Sequence, residues 1–136
     1  MEAGMTFHRG DYSPLVLAYL GDSFFETLAR AYLIGNGDCK TSDLNQASKK
    51  IVTAAGQSRI VESILPLLNE EETAIFKSGR NAKSAHHSKS ASILDYRRAT
   101  GLECLYGYFW ISGQTERAKE LFELSVKGVN DDGGIE

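Results

Sequence analysis

Two stretches of this chain are apolar on nearly every helical face, and each carries an acid among small residues. The first runs from Leu15 through VLAYLGDSFFETLARAYLI and holds Asp22, with Ala18 and Gly21 beside it. The second runs from about Ser92 to Ser112 and holds Glu103, with Ala99, Thr100 and Gly107 as small neighbours. Helices apolar all round belong in the centre of a fold. Small residues one turn from each acid let two such helices approach closely, and if the two pack face to face the carboxylates can meet. Burying a charge is costly unless it is paired or bound to a metal, and converging carboxylates repel unless one keeps a proton or a cation lies between them. A hard, oxygen-only site of this kind suits Mg²⁺, which retains waters and shares its other positions with substrate phosphates. The alternative is structural: each acid bonds a backbone N–H or pairs with a neighbouring Arg.

The remaining signals are helical too. Ser13 followed by Pro14 reads as the N-cap and first position of the first helix, which Gly35-Asn36-Gly37 stops. Thr41 or Ser42 is expected to cap a second helix reaching roughly Val52, and a third is expected from about Gln57 to Leu68, bent or ended by Pro66. Asn69 with the acidic turn Glu70-Glu71-Glu72 opens a fourth, ending near Gly79. The polar, small and cationic run RNAKSAHHSKSAS reads as a loop, and the helix that follows it is stopped by Gly113. Thr115 is expected to cap the last helix, which runs to about Lys127. No strand alternation persists and no internal repeat is present. The expectation is an all-α fold of about six to seven helices, a single domain over residues 1–130 with 131–136 a frayed tail.

With 136 residues the chain is long enough for a hydrophobic core without disulfides. Cys39 and Cys104, far apart and without metal-type spacing, read as reduced thiols, Cys104 buried and Cys39 in a loop. No run of about 18 apolar residues is present, which excludes a membrane span. The first residues show neither a signal core nor a transit pattern, so a cytoplasmic protein is expected. A net charge of −3 argues against a nucleic-acid partner only if the charge is even. It is not: from Lys77 to Arg98 six basic residues face one acid, so that segment carries +5 and the rest −8. A polyanion feels such a local patch over a Debye length of roughly 8–10 Å. A solvated loop that balances an acidic protein would look the same by charge alone.

Three segments resemble a known family. Leu17-Ala18-Tyr19-Leu20-Gly21-Asp22-Ser23-Phe24-Phe25 resembles the signature helix of the ribonuclease III family. Ala99-Thr100-Gly101-Leu102-Glu103-Cys104-Leu105-Tyr106-Gly107-Tyr108 is similar to its second motif, and Gly79-Arg80-Asn81-Ala82-Lys83-Ser84 to a segment of the Mini-ribonuclease III branch. The resemblance spans about residues 14–125. It implies the ribonuclease III endonuclease fold, a catalytic domain without an attached double-stranded-RNA-binding domain, and a homodimer. It also implies an Mg²⁺-dependent endoribonuclease that hydrolyses double-stranded RNA to 5′-phosphate and 3′-hydroxyl ends. The branch is associated with maturing the precursor of large-subunit (23S) ribosomal RNA, which leaves room for a ribosomal protein that presents the substrate. The catalytic and metal-binding positions carried over are Asp22 and Glu103. Two further family acids are replaced here by Ala18 and Thr100, which implies weak metal binding in the absence of RNA and leaves open one metal or two.

Recognition of A-form RNA goes mostly by shape and backbone. Arg80, Asn81, Lys83 and Lys89, on a glycine-led loop, are the expected phosphate contacts. Of Arg97 and Arg98, one is expected to face RNA while the other lies along the surface or pairs with Asp95. Glu26, a turn after Asp22, is expected to pair with Arg30. His86 and His87 read as loop residues that gain charge below about pH 6.5. Tyr19 sits where the family places an aromatic in the dimer partner's socket, and the first helix is the expected seam. Three rivals differ in what they need. A catalytically silent fold of the same type, acting as an RNA-binding scaffold in ribosome assembly, does not need both acids. A hydrolase of small phosphorylated substrates needs an enclosed pocket, and a helical interaction module leaves the cationic segment unexplained.

Overall fold

A computed structural model describes residue 7 and residues 12–37, 40–83 and 92–131, with side chains as far as Lys127. Six α-helices follow one another: α1 Pro14–Gly35, α2 Thr41–Val52, α3 Ala54–Ile64, α4 Glu70–Arg80, α5 Ile93–Ile111 and α6 Thr115–Asp131, with a 3₁₀ turn at Leu65–Leu67 after α3. No strand occurs among the described residues, so the fold is all-α. No helix among them is long and apolar enough to cross a membrane.

Most helix ends follow from local chemistry. The Ser13 hydroxyl accepts from the Val16 N–H with Pro14 at the first helical position, and Ser92 caps α5 by accepting from Asp95 at 3.0 Å. A full capping box opens α4: Asn69 accepts from the Glu72 N–H at 2.8 Å, and the Glu72 carboxylate accepts from the Asn69 N–H at 3.0 Å. Gly37 and Gly113, just beyond α1 and α5, have φ of +134° and +74°, a left-handed geometry that glycine adopts without a Cβ penalty. Three expected boundaries differ. Lys40 occupies the cap position of α2 and gives no side-chain cap bond, so neither Thr41 nor Ser42 serves there. The third helix begins at Ala54, three residues before Gln57, because Thr53 caps it by accepting from the Gly56 N–H at 3.2 Å; Pro66 lies in the 3₁₀ turn that ends it. Thr115 is already helical, and α6 continues to Asp131.

α5 is the hub, packed against α1, α3, α4 and α6. It is buried from Ala99 to Phe109 apart from Glu103, which is half-buried. The expectation that α1 is equally enclosed does not hold. Its buried stripe is Ala18, Gly21, Phe25 and Ala29, while Leu15, Val16, Tyr19 and Ile34 face outward. α1 packs against α2, α4 and α5, and these neighbours bury one stripe of it. Edge-on aromatic contacts lock it to the core: Phe25 meets Tyr106 at 5.3 Å and Phe122 at 5.4 Å between ring centroids. Arg117 of α6 joins the far side. It holds Glu72, which is only 2% exposed, through Nε at 2.9 Å and Nη2 at 3.0 Å, and it also donates to the Leu67 carbonyl. Burial alone would raise the Glu72 carboxyl, but Arg117 and the Asn69 N–H together hold it below the usual range. Cys104 is buried and free, whereas Cys39 lies outside the described residues.

The tightest contact is between the backbones of α1 and α5. A methyl at Gly21 would lie 1.7 Å from the Glu103 carbonyl oxygen, and one at Gly107 would lie 1.9 Å from that of Leu17. Gly21→Ala is therefore expected to force the two helices apart and to cost about 3 kcal/mol or more in urea unfolding. Gly35→Ala, which meets nothing within 4 Å, should be neutral or stabilise by up to about 1 kcal/mol. Equal effects at the two positions would show that the crossing is loose.

Candidate functional site

The glycine crossing positions the two acids. Gly21 packs on the Glu103 carbonyl, so the residue after Gly21 projects beside the Glu103 side chain. Asp22 is exposed at the lip, Glu103 is half-buried beneath it, and their carboxyl groups are within hydrogen-bonding reach. A third residue closes the group from α3. Gln57, 1% exposed, donates its amide Nε2 to Glu103 Oε2 at 3.4 Å. Burial first, and then the Asp22 charge, push the Glu103 carboxyl up to about 8; the Gln57 amide opposes the rise. Near neutral pH Glu103 thus retains its proton, the state expected of a buried carboxyl that faces another acid without a countercharge.

That donor set fits a divalent cation. The oxygens are hard, and a cation would replace the Glu103 proton. No group of three or more His, Cys, Asp or Glu able to hold a metal occurs among the described residues. Among the described residues two carboxylates would be available to it, and the remaining positions would fall to water and substrate oxygen. The site is open. A cleft of about 620 Å³ lies elsewhere, between the C-terminal half of α1 and α6, lined by residues such as Leu28, Tyr32 and Phe122. Glu26, the other acid on this part of α1, forms an ion pair with Arg30, as its spacing implies.

The cationic residues divide. Gly79 seats the end of α4 on the Thr100–Cys104 stretch of α5, where a methyl would lie 2.5 Å from Cys104 Cβ, so Arg80 and Asn81 emerge next to that contact. Arg80 donates to Asn81 Oδ1 at 3.1 Å and lies over the Phe76 ring at 5.9 Å, while Lys83 and Arg97 are exposed. Arg98 is half-buried and reaches α3 rather than Asp95: it donates to the Ser58 hydroxyl at 3.2 Å and lies 3.5 Å from Glu62. Lys89, His86 and His87 lie outside the described residues. Tyr19 is 85% exposed, on the outward face of α1 with Leu15 and Val16. Gln57 is the residue that motif reading passes over. Its signal is positional: a polar side chain sharing the helical face of Ile60, Val61 and Ile64, the buried stripe of α3.

A family model for the ribonuclease III domain matches residues 15–114. The Mini-ribonuclease 3 of Brevibacillus brevis is 42% identical over 82% of this chain and 83% of its own length. That of Clostridium tetani is 43% identical over 84% of this chain and 76% of its own. A crystal structure of a protein from Fusobacterium nucleatum is 34% identical and superposes with a TM-score of 0.77, covering 88% of this chain and 95% of that one. The helical fold and the domain match define an endoribonuclease of the ribonuclease III type. The chain belongs to the ribonuclease III family, within its Mini-ribonuclease III branch. Proteins of that family act on double-stranded RNA, typically as dimers, and are generally divalent-metal dependent.

The raised Glu103 carboxyl has a consequence for stability. Folded Glu103 keeps its proton up to about 8, whereas the unfolded chain releases it near 4.5. The unfolded state then binds fewer protons through that window, so the cation-free protein loses stability as pH rises from about 4.5 to about 8. Glu103→Gln is expected to flatten this loss in urea unfolding with a chelator present. Millimolar Mg²⁺ is expected to recover it in the wild type alone. A wild-type slope no steeper than the variant's would show that burial and the Asp22 charge do not raise Glu103 in the folded protein.

Proposed function

We propose that this chain is an Mg²⁺-dependent endoribonuclease that hydrolyses double-stranded RNA in the cytoplasm, with Asp22 and Glu103 holding the metal. The observation that carries the reading is the Asp22–Glu103 pair at the α1–α5 crossing, two carboxyl groups in hydrogen-bonding reach with Asp22 exposed and Glu103 half-buried. What a divalent cation supplies when bound is stabilisation of charge on the phosphodiester and a lowered pKa for coordinated water. The acids themselves need act as neither general acid nor general base; they fix the position of charge. Cleavage then leaves a 5′-phosphate and a 3′-hydroxyl.

Exposed Lys83 and Arg97 and the Arg80–Asn81 pair are suited to phosphate contact, with Lys89 and Arg98 proposed alongside them from the sequence. Such contacts hold a duplex by backbone and shape. A homodimer through the outward face of α1 follows from family habit and from Leu15, Val16 and Tyr19, which meet no partner within the chain's own core cluster. Twofold symmetry would give one acid pair to each antiparallel strand. The substrate we infer is the precursor stem of 23S ribosomal RNA, the likeness to Mini-ribonuclease 3 proteins being its support. A ribosomal protein that presents the stem is compatible with this assignment.

The test is cleavage of labelled duplex RNA, including a ribosomal precursor stem, with Mg²⁺. Asp22→Asn and Glu103→Gln are each expected to lose on the order of 100-fold or more in rate while still binding duplex in Ca²⁺. Wild type that binds every stem and cuts none would instead favour the silent scaffold. For the cationic face, replacing Lys83 and Arg97 by Ala should weaken duplex binding and lower the slope of log affinity against log salt by about 1 per lost contact. An unchanged slope would move the RNA face elsewhere.

A further inference from the structure

A glutamine that is 1% exposed, in the middle of an apolar stripe, requires an explanation. An amide taken out of water costs free energy unless it is hydrogen-bonded. Ile60, Val61 and Ile64 show what the rest of that α3 face is for, and an apolar residue at position 57 would extend it without this cost. The Gln57 amide reaches one destination across the α3–α5 interface, Glu103 Oε2 at 3.4 Å. Its place is fixed from behind. Thr53 caps the helix start, and a methyl on the neighbouring Gly56 would lie 2.1 Å from the Lys50 carbonyl, so α2 sets where α3 begins. On the same face Ser58 accepts from Arg98, which anchors α3 to α5 at a second point.

The chemistry of the donor is informative. A Lys or Arg at position 57 would also hold the Glu103 carboxylate, but its charge would cancel the negative charge that attracts a cation. A Glu would add a third repelling acid. An amide N–H orients one carboxylate oxygen and leaves the charge of the pair intact. From this geometry we infer that Gln57 is a positioning residue: it fixes the rotamer of Glu103 so that the carboxylate stays aimed at Asp22 and ready for a divalent cation. The inference rests on the reading of Asp22 and Glu103 as the metal pair. It adds a residue from a third helix, one that none of the three sequence motifs contains. Groups that hold a metal ligand from behind commonly change metal affinity or activity by about 10- to 100-fold when removed.

The experiment compares wild type, Gln57→Met, Gln57→Glu and Glu103→Gln in three measurements on the full chain. These are steady-state cleavage of duplex RNA, the Mg²⁺ concentration giving half-maximal rate, and the shift in unfolding midpoint caused by Mn²⁺ or Mg²⁺ without RNA. Methionine keeps the length of the side chain and removes the donor. We expect Gln57→Met to bind duplex with KM within about twofold of wild type, to lose about 10- to 100-fold in kcat, and to need correspondingly more Mg²⁺. Its cation-induced midpoint shift should shrink, a change that packing alone would not produce. Should Gln57→Met fail to fold, Gln57→Glu, nearly isosteric but a third acid without the amide donor, is expected to lose kcat and to show a cation-induced shift different from that of the wild type. A folded Gln57 variant with wild-type kcat and cation response would overturn the inference, and so would a loss confined to KM. Glu103→Gln separates the two readings. If it cuts normally, the metal pair itself is wrong; if it is inactive while Gln57→Met behaves as wild type, only the role of Gln57 fails.

Discussion

Everything in this protein hangs on how closely α1 and α5 approach. At Gly21 and Gly107 the two helix backbones touch, and there is no room for even one methyl group on either side. Glycine inside a helix costs about 1 kcal/mol relative to alanine, and this chain accepts that cost on both helices. The return is proximity. Side chains that flank the contact, Asp22 on one helix and Glu103 on the other, come within reach of each other without long, flexible arms. Held by such short tethers, two carboxyl groups have few other orientations open to them, which suits a site that must stay preorganised.

The rest of the bundle serves to hold that crossing rigid from several directions. Phe25 is wedged edge-on between Tyr106 and Phe122, so α1 cannot roll on α5 without breaking aromatic contacts. The buried Glu72 is satisfied by both Arg117 and its own capping box, which binds the start of α4 and the 3₁₀ turn to α6. Such a fully hydrogen-bonded ion pair specifies one arrangement, and removing either partner would strand a buried charge. α3 then presents a neutral amide to the acid pair from below, while Arg98 ties it to α5 through Ser58 and Glu62. The consequence is a divided electrostatic surface. Glu103 has a neutral donor in Gln57, Asp22 is exposed above it, and Lys83 and Arg97 are exposed as well.

Much of this was legible in the sequence because the signals are local. Ser13-Pro14, the Asn69–Glu72 box and Gly113 mark helix ends through bonds between residues a turn apart, and they fall where local chemistry puts them. Apolar periodicity and the lack of strand alternation gave the all-α class for the same reason. Asp22 and Glu103 stood out as acids in apolar surroundings flanked by small residues, a pattern that has meaning before any fold is known. Where the local signal is ambiguous the structure differs from it: two hydroxyls near position 41 offer a cap that the chain does not use, and α3 starts earlier than Gln57 because Thr53 is the better-placed acceptor.

Composition around a helix shows how much apolar surface it carries, but not which side meets a neighbour. That is why α1 and α5 look alike as sequence and differ as structure, one with its outward face bare and the other enclosed. Arg98 and Arg97 are likewise equivalent in sequence, yet the helical twist turns one onto Ser58 and the other into solvent. Gln57 is the clearest case. Forty-six positions separate it from Glu103, and only the packing of α3 on α5 brings the amide to the carboxylate. The sequence by itself determined the helices, the acids and the glycines that let them meet, because those depend on bonds and sterics within a few residues. Which partner each exposed or buried group finds was decided by the tertiary structure, since that choice belongs to surfaces that exist only once the helices have packed.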